Sequence, residues 1–457
     1  MRGESPSEVW YNEAMKGKVN PELPSGFRDY LPEEMIVREE MIDTIRGVFK
    51  AFGFLPIDTS AVEREDVLTG GDPDFKKQIF SVGQKGQKEK LALRFDLTVP
   101  LARVVAARRG ELYQPFKRYE IGKAWRGERA QAGRFKEFLQ CDVDIIGSES
   151  TAADAEILAL VYETMRALEI PRFLIRVNNR KILNGLSAFA GFPESKTHDV
   201  LRAIDKLDKQ GWTSVAKELE KPEGGKLSKS AVKKIKEFLD SARGRTPLSA
   251  VKELLADSPV AMKGVQEIES IQDHLEALGV PESAWAFDIS IARGLGYYTG
   301  SVFETTLLDA PEFGSICSGG RYDDLVSNFS SVSIPAVGVS IGLDRLLAAL
   351  QKLNYIPSSG MSVQAVVLNF DPETEYECET LVSELRRGGI STDFYIGGEK
   401  TLKGQLAHAA KTEYHLVLIL GSNERKKGVV QVKDMRRHSQ EDIPLRDVLQ
   451  EVRRLCV

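Results

Sequence analysis

Cysteine is scarce: the 457 residues hold four, Cys141, Cys317, Cys378 and Cys456, far apart and with no C-x-x-C pair. That excludes a disulfide framework and a zinc site built from neighbouring positions, and leaves buried thiols as the expectation. Long apolar runs are missing too. The longest aliphatic run, Leu416 to Leu420, falls far short of a bilayer span. The opening MRGESPSEVW has no apolar core for a secretion signal. A cytoplasmic location without membrane attachment is expected, with an additional organellar pool left open. Internal repeats and low-complexity tracts are also absent, which excludes solenoid and fibrous classes. Positive charge is not in excess. A net charge of −5 argues against a protein that coats nucleic acid indiscriminately.

What is present is an ordinary globular mixture, 42% hydrophobic and 28% charged, long enough for two to four domains. Charge is uneven along it. Residues 101–140 hold ten Lys/Arg against four Asp/Glu, and residues 401–457 eleven against seven, as a localised nucleic-acid footprint requires. His408 and His415 have no companion set suited to a metal, and no fixed metal site is expected.

Residues 1–20 read as a polar extension before the turn-forming Pro21, Pro24 and Gly26. Apolar positions Met35, Ile36, Ile42, Ile45, Val48, Phe49 and Phe52 predict a helix from Pro32 that Gly53 ends. Period-two patterning predicts strands near 91–98, 118–126 and 135–146, and a helix follows at 151–170. Residues 181–281, rich in Lys, Glu, Leu and Ala at helical spacing, read as a helical insertion. Strands return at 287–291, 302–305 and 334–341, with a helix over 343–353. Beyond a linker, strands near 363–369, 392–396, 415–420 and 428–433 alternate with helices in a small α/β domain. The expected division is therefore an extension at 1–20, a catalytic part at 21–180, the insertion at 181–281, a second catalytic part at 282–355, a linker at 356–360 and a terminal domain at 361–457.

Alternation also sorts the polar residues, because successive strand side chains point to opposite faces. In LALRFDLT, Arg94, Asp96 and Thr98 oppose Leu91, Leu93, Phe95 and Leu97. In RYEIGKAWRGE, Gly122, Ala124, Arg126 and Glu128 share a face. In FKEFLQCDVDII, Gln140, Asp142 and Asp144 oppose Leu139, Cys141, Val143 and Ile145. One such strand has a solvated face; several together point to a charged ligand site.

Two glycine-rich stretches bear on this. AFDISIARGLGYYTGSVFE, from Ala286, superficially resembles a dinucleotide fingerprint, but its spacing is wrong and a β-like run follows it instead of a helix. IPAVGVSIGLDRLLAAL sets Ala336, Gly338, Ser340 and Gly342 on one face, where a flat nucleotide could approach the backbone, and puts Arg345 in the next helical turn. Arginine holds phosphate oxygens bidentately and stabilises developing charge, so Arg126, Arg293 and Arg345 are the candidates for that work.

At these residues the chain resembles the histidyl-tRNA synthetase family, from about Pro24 to its end. RGERAQAGRFKEFLQCDVD (126–144) is similar to the second signature motif of class II synthetases and GVSIGLDRL (338–346) to the third. SGFRDYLP (25–32), with the helix ending in FGFLPI, is similar to the first, dimer-forming motif. ARGLGYYTG (292–300) and CSGGRYDDL (317–325) resemble the two peptides peculiar to the histidine enzyme. DLTVP and QCDVD look like the eukaryotic version, since bacterial members usually have glutamate where Asp96 and Asp144 stand. Gly296 replaces an aspartate common before the paired tyrosines.

The resemblance implies an α+β fold: a six-stranded antiparallel catalytic sheet flanked by helices, a helical insertion, a C-terminal α/β anticodon-binding domain and a homodimer. It implies that ATP with Mg2+ activates L-histidine, which is then passed to the 3′ end of tRNA(His). Arg126 and Arg293 would bind the ATP α-phosphate from two sides, Arg293 also touching histidine. Arg345 would lie across the adenine, Phe135 would stack on its other face and Glu128 would stand at its edge. Asp96, Thr98 and Gln140 would hold the α-amino group. Asp144 and Tyr298 would bind the imidazole nitrogens, with Tyr297 and Tyr322 as walls. Gln131 and Arg134 would meet the tRNA acceptor end, and NERKKG (423–428) the anticodon stem. Two alternatives are weighed. A synthetase-like regulatory subunit of histidine biosynthesis generally lacks the terminal domain present here, and class II enzymes for other amino acids lack RGLGYYTG.

Overall fold

The computed structural model describes residues 19–70, 76, 78–83, 86, 88–127, 133–204, 206–241, 248–291, 298–355 and 363–456. Contacts divide the chain into two compact units, Met1–Asp29 with Glu40–Tyr355, and Tyr30–Glu39 with Ile356–Val457.

Helix α1 (Pro32–Ala51) starts with a proline, whose missing N–H a first turn does not use, and has Glu33 and Glu34 at its positive end and Lys50 at its negative end. Met41, Ile45 and Phe49 recur at helical spacing and are buried. Gly53, at φ +77°, lets the chain leave the helix. After β1 (Leu55–Pro56), a small antiparallel sheet of β2 (Val62–Arg64), β3 (Phe80–Val82) and β4 (Leu91–Leu93) runs in the order β2-β4-β3, with α2 (Glu65–Thr69) following β2.

The strand expected over 91–98 stops at Leu93, and α3 (Thr98–Ala107) begins where it was to continue. The cause is local. The Val99 N–H donates to the Asp96 carboxylate at 3.1 Å, and Pro100 occupies the first turn, which together favour a helix start over a ladder. Two long strands follow, β5 (Phe116–Trp125) and β6 (Glu137–Ile146), then α4 (Thr151–Ala167), capped by the Ser150 hydroxyl accepting from the Ala152 N–H. Strand β7 (Phe173–Asn179), which the patterning missed, precedes the helices α5 (Arg180–Asn184), α6 (Leu186–Ala190), α7 (Thr197–Ile204), α8 (Leu207–Leu219), α9 (Lys229–Ser241), α10 (Leu248–Leu254) and α11 (Pro259–Ala277). Helix α11 packs on α4 and α5. The unit closes with β8 (Trp285–Phe287), β9 (Ser301–Leu307), β10 (Ser315–Arg321), β11 (Ala336–Gly342) and α12 (Leu343–Lys352).

The main sheet corrects the expected six antiparallel strands. It has eight and is mixed, in the order β1-β5-β6-β11-β10-β9-β7-β8. The six interior strands pair antiparallel throughout, while the short β1 and β8 add parallel at the two edges. Edges of two and three residues give almost no alternation to read. One face is apolar: Cys141, Val143 and Ile145 of β6 and Val337, Val339 and Ile341 of β11 are all buried. Helix α4 packs on β11, and α12 packs on both strands.

In the second unit, β12 (Ala365–Val367), β13 (Thr392–Phe394) and β14 (Leu416–Ile419) pair in parallel, and β15 (Val429–Asp434) and β16 (Ser439–Pro444) add antiparallel, giving the order β13-β12-β14-β15-β16. Helices α13 (Glu375–Arg387), α14 (Leu402–Lys411), α15 (Ser422–Lys427) and α16 (Val448–Cys456) complete it. Strand β16 was not expected, because SQEDIP is polar and mostly exposed along an edge.

Candidate active site

Side chains paired across strands share a sheet face, so the register assembles the site. Gly122, Gln140 and Gly342 align across β5, β6 and β11; so do Glu120, Asp142 and Ser340, and then Arg118, Asp144 and Gly338. Strand β10 continues two of these rows with Ser318 and Gly320, and β9 extends the middle one with Glu304. The result is a face of charged groups on β5 and β6 bordered by small residues on β11 and β10. The borders are necessary. A Cβ on Gly338 would collide with the Asp144 carboxylate, and one on Gly320 would meet the Tyr298 ring at 2.9 Å.

This face is buried, not solvated. Arg118 is 0% exposed and pairs with Asp144 at 2.6 Å and with Glu120 at 3.5 Å. Glu120 is also held by Arg94 at 2.8 Å, and Arg94 donates to the Thr59 carbonyl at 2.6 Å. The Tyr322 hydroxyl donates to Asp144. Burial raises the pKa of Asp144 against the pull of Arg118 and of that hydroxyl. Asp96 is raised by burial as well, opposed by its bond from Val99 and by the charge of Arg126. Asp142 is pushed up to about 8 by burial, with Arg118 opposing and Asp144 adding to the rise. Burial, and then the charges of Asp144, Asp142 and Asp96, hold the Tyr298 hydroxyl protonated, a donor at neutral pH.

Beside this cluster lies a cavity of about 300 Å³ whose lining includes Arg126, Arg134, Phe135, Gln140, Ser340 and Arg345. Arg126, just past β5, donates to the Phe95 carbonyl at 3.0 Å and lies over the Phe138 ring. Arg345 is in the first turn of α12 and donates to the Ser315 carbonyl. Gln140 donates to the Ser340 hydroxyl at 2.6 Å, while its Oε1 has no hydrogen-bond partner among the described residues. The Phe135 ring has the Arg28 guanidinium over it at 5.1 Å. The cavity thus offers cationic groups for phosphate, a ring for stacking and an amide at the edge of a carboxylate cluster.

Of the residues singled out from sequence, Arg126, Arg134, Phe135, Gln140 and Arg345 line the cavity, and Asp144 and Tyr322, buried, with Asp96 and Tyr298, half-buried, belong to the carboxylate cluster. Thr98 opens α3. Glu128, Gln131, Arg293 and Tyr297 lie outside the described residues. In the second unit, Arg425, Lys426 and Lys427 are exposed on α15, with Arg425 paired to Glu377 at 3.2 Å. Sequence reading placed Arg94 on the polar face but did not single out Arg118 or Glu120 as partners of the site. The signal for both was present, since counting back from Gly122 by twos reaches Glu120 and then Arg118.

Two family models match the chain. One, described as Histidyl-tRNA synthetase, covers residues 26–346, and one, described as Anticodon binding domain, covers 364–455. The histidine–tRNA ligase of Wolinella succinogenes is 43% identical over 423 residues, which cover 91% of this chain and 94% of that protein. The histidine–tRNA ligase of Stenotrophomonas maltophilia is 40% identical over 449 residues, 93% of this chain and 96% of its own. The crystal structure of histidyl-tRNA synthetase from Nostoc sp. has a TM-score of 0.83 at 34% identity, covering 96% of this chain and 100% of that one. These relatives are bacterial and give the eukaryotic-like reading of DLTVP and QCDVD no support.

Proposed function

The chain belongs to the histidyl-tRNA synthetase family and charges tRNA with histidine, and from that premise we propose which residues hold the substrates and carry the reaction. The supporting observation is the adjacency of the arginine-lined cavity and the buried Asp144 cluster, with Gln140 between them. ATP takes the cavity, its α-phosphate on Arg126 and Arg293, its adenine between Phe135 and Arg345, with Glu128 at the base edge. Histidine takes the cluster. Its α-ammonium sits on Asp96, Thr98 and Gln140, and its imidazole on Asp144 and Tyr298, beside Tyr322 and Tyr297.

The histidine carboxylate attacks the α-phosphorus in line, pyrophosphate leaves, and the terminal ribose hydroxyl of the tRNA then attacks the adenylate carbonyl. Mg2+ arriving on the phosphates would offset charge on the departing pyrophosphate. The chain's own contribution is positioning and charge stabilisation, with no covalent step on a side chain. Selectivity follows from burial: a side chain that cannot pair with Asp144 and Tyr298 leaves both unsatisfied, which is worth roughly 10⁴-fold in favourable cases.

The proposal extends to a homodimer formed through residues 25–32 and the helix after them, to the domain boundaries given above, to Gln131 and Arg134 at the acceptor end of tRNA(His), and to a cytoplasmic location. No described helix is long and apolar enough to cross a membrane. The deciding experiment is pyrophosphate exchange into ATP across a panel of amino acids. Exchange with histidine is expected, and exchange with another amino acid but not histidine refutes the reading.

A further inference from the structure

We propose that Asp142 is an additional carboxylate of the amino-acid pocket, making an ion pair with the α-ammonium of bound histidine. The inference rests on the pocket reading above and adds a residue to it.

Asp142 lies on β6 between Gln140 and Asp144, on the same face as both, and its cross-strand neighbour on β11 is Ser340. Gln140 and Ser340 both line the cavity, so the residue lies directly beside its lining, one step along the same sheet face. It is 2% exposed. Its Oδ1 has no hydrogen-bond partner among the described residues. A buried carboxylate oxygen left without a donor is costly unless a ligand supplies one.

The charges around it point to the kind of ligand. The groups facing it are Asp96 from the segment before α3, Arg118 and Glu120 from β5, Gln140 and Asp144 from its own strand, Ser340 from β11, Cys317 from β10, and Tyr298 before β9. Among the described residues, Arg94 pairs with Glu120, Arg118 pairs with Asp144 and Glu120, and Arg126 faces Asp96. No cation among the described residues forms an ion pair with Asp142. Among the described residues the carboxylates Asp96, Glu120, Asp142 and Asp144 outnumber the arginines that face them, and a primary ammonium beside Gln140 supplies the complementary charge. With no ligand the carboxyl holds a proton, its pKa being pushed up to about 8 by burial. The arriving ammonium therefore displaces that proton to solvent, and affinity depends on pH.

The test compares wild type with Asp142→Asn in histidine-dependent pyrophosphate exchange between pH 6.5 and 8.5. A charge-assisted hydrogen bond is worth about 1.5–3 kcal/mol, so the variant's KM for histidine is expected to rise about tenfold or more at pH 8.5. That ratio should shrink toward one at pH 6.5, with the KM for ATP nearly unchanged. Histidine's own titrations are common to both proteins and cancel in the ratio. Calorimetry in two buffers at pH 7 should find wild type releasing nearly one proton more than the variant on binding histidine. Imidazolylpropionate, which is histidine without its amino group, should inhibit both equally. A pH-independent ratio, equal rises in the KM for histidine and ATP, or a larger loss with the amine-free analogue overturns the proposal. Asp142→Ser is held to the same readouts if the asparagine variant folds poorly. If wild type shows no exchange with histidine, the pocket reading falls with it. If exchange is normal and the variant matches it, only this inference falls.

Discussion

On the eight-stranded sheet, β6 sends Cys141, Val143 and Ile145 to one face and Gln140, Asp142 and Asp144 to the other, whereas β14 of the five-stranded sheet packs Leu416 and Leu418 into one apolar cluster and Val417 and Ile419 into another. Both strands are interior and buried. The second sheet is complete as folded, since each face has found apolar partners. The first gives up one face, and takes on the desolvation of Arg118, Glu120, Asp142 and Asp144, so that a ligand can complete it. Binding energy belongs where a folded chain leaves charge incompletely matched, and histidine and ATP should stabilise the first unit by mass action in proportion to their affinity.

The sharpest way to break this contrast is Asp144→Ala. It leaves the fully buried Arg118 guanidinium without its 2.6 Å partner, and unfolding in urea should show a loss of about 4 kcal/mol. Arg126→Ala tests the ligand side alone. Single-turnover adenylate formation should fall by about 10²–10³, the range for removing one transition-state donor, while histidine affinity changes little. Leu418→Ala, in the second sheet, should destabilise by about 3 kcal/mol through cavity formation, with no dependence on pH from 5 to 9.

The effect of pH itself separates the sheets further. The folded pKa of Asp142 lies above its unfolded value, so its contribution to stability is intact below about pH 4 and lost as pH rises to about 8. Asp96 and Asp144 are shifted in the same direction. The melting temperature of the ligand-free protein should therefore decline across that window, and Asp142→Asn should flatten part of the slope. The smallest effect belongs to an exposed pair at the rim of the first sheet. Lys123 meets Glu137 at 2.7 Å but is 56% exposed, and Lys123→Ala should cost less than about 1 kcal/mol by urea titration.

Much of the candidate site was readable from sequence because apolar and polar residues alternate from Leu139 to Ile145 along β6 and because β11 spaces Gly338, Ser340 and Gly342 by twos. Register then placed the small residues opposite the acids, which spacing alone does not dictate. Strand β10 was hidden by its composition: Cys317–Ser318–Gly319–Gly320 has no strand propensity, and glycines are needed there only because neighbouring strands and Tyr298 come close. The strand over 91–98 was misread because Asp96 counts as a polar position in an alternating pattern, yet its carboxylate starts a helix. Arg118 was passed over because a lone arginine reads as surface, and burial of a guanidinium shows only when its partners from β5 and β6 are placed around it.

The Arg118–Asp144 pair has one further consequence, for inheritance. On the proposed reading, in which Asp144 meets the imidazole, a single change that re-tunes that end of the pocket also removes the main partner of the buried Arg118 and costs the unit stability. On that reading, a lineage moves toward a different amino acid more easily by replacing both residues together, or by first gaining stability elsewhere. Fidelity to histidine would then be defended twice, once by discrimination at the pocket and once by the instability of the chains that would have erred.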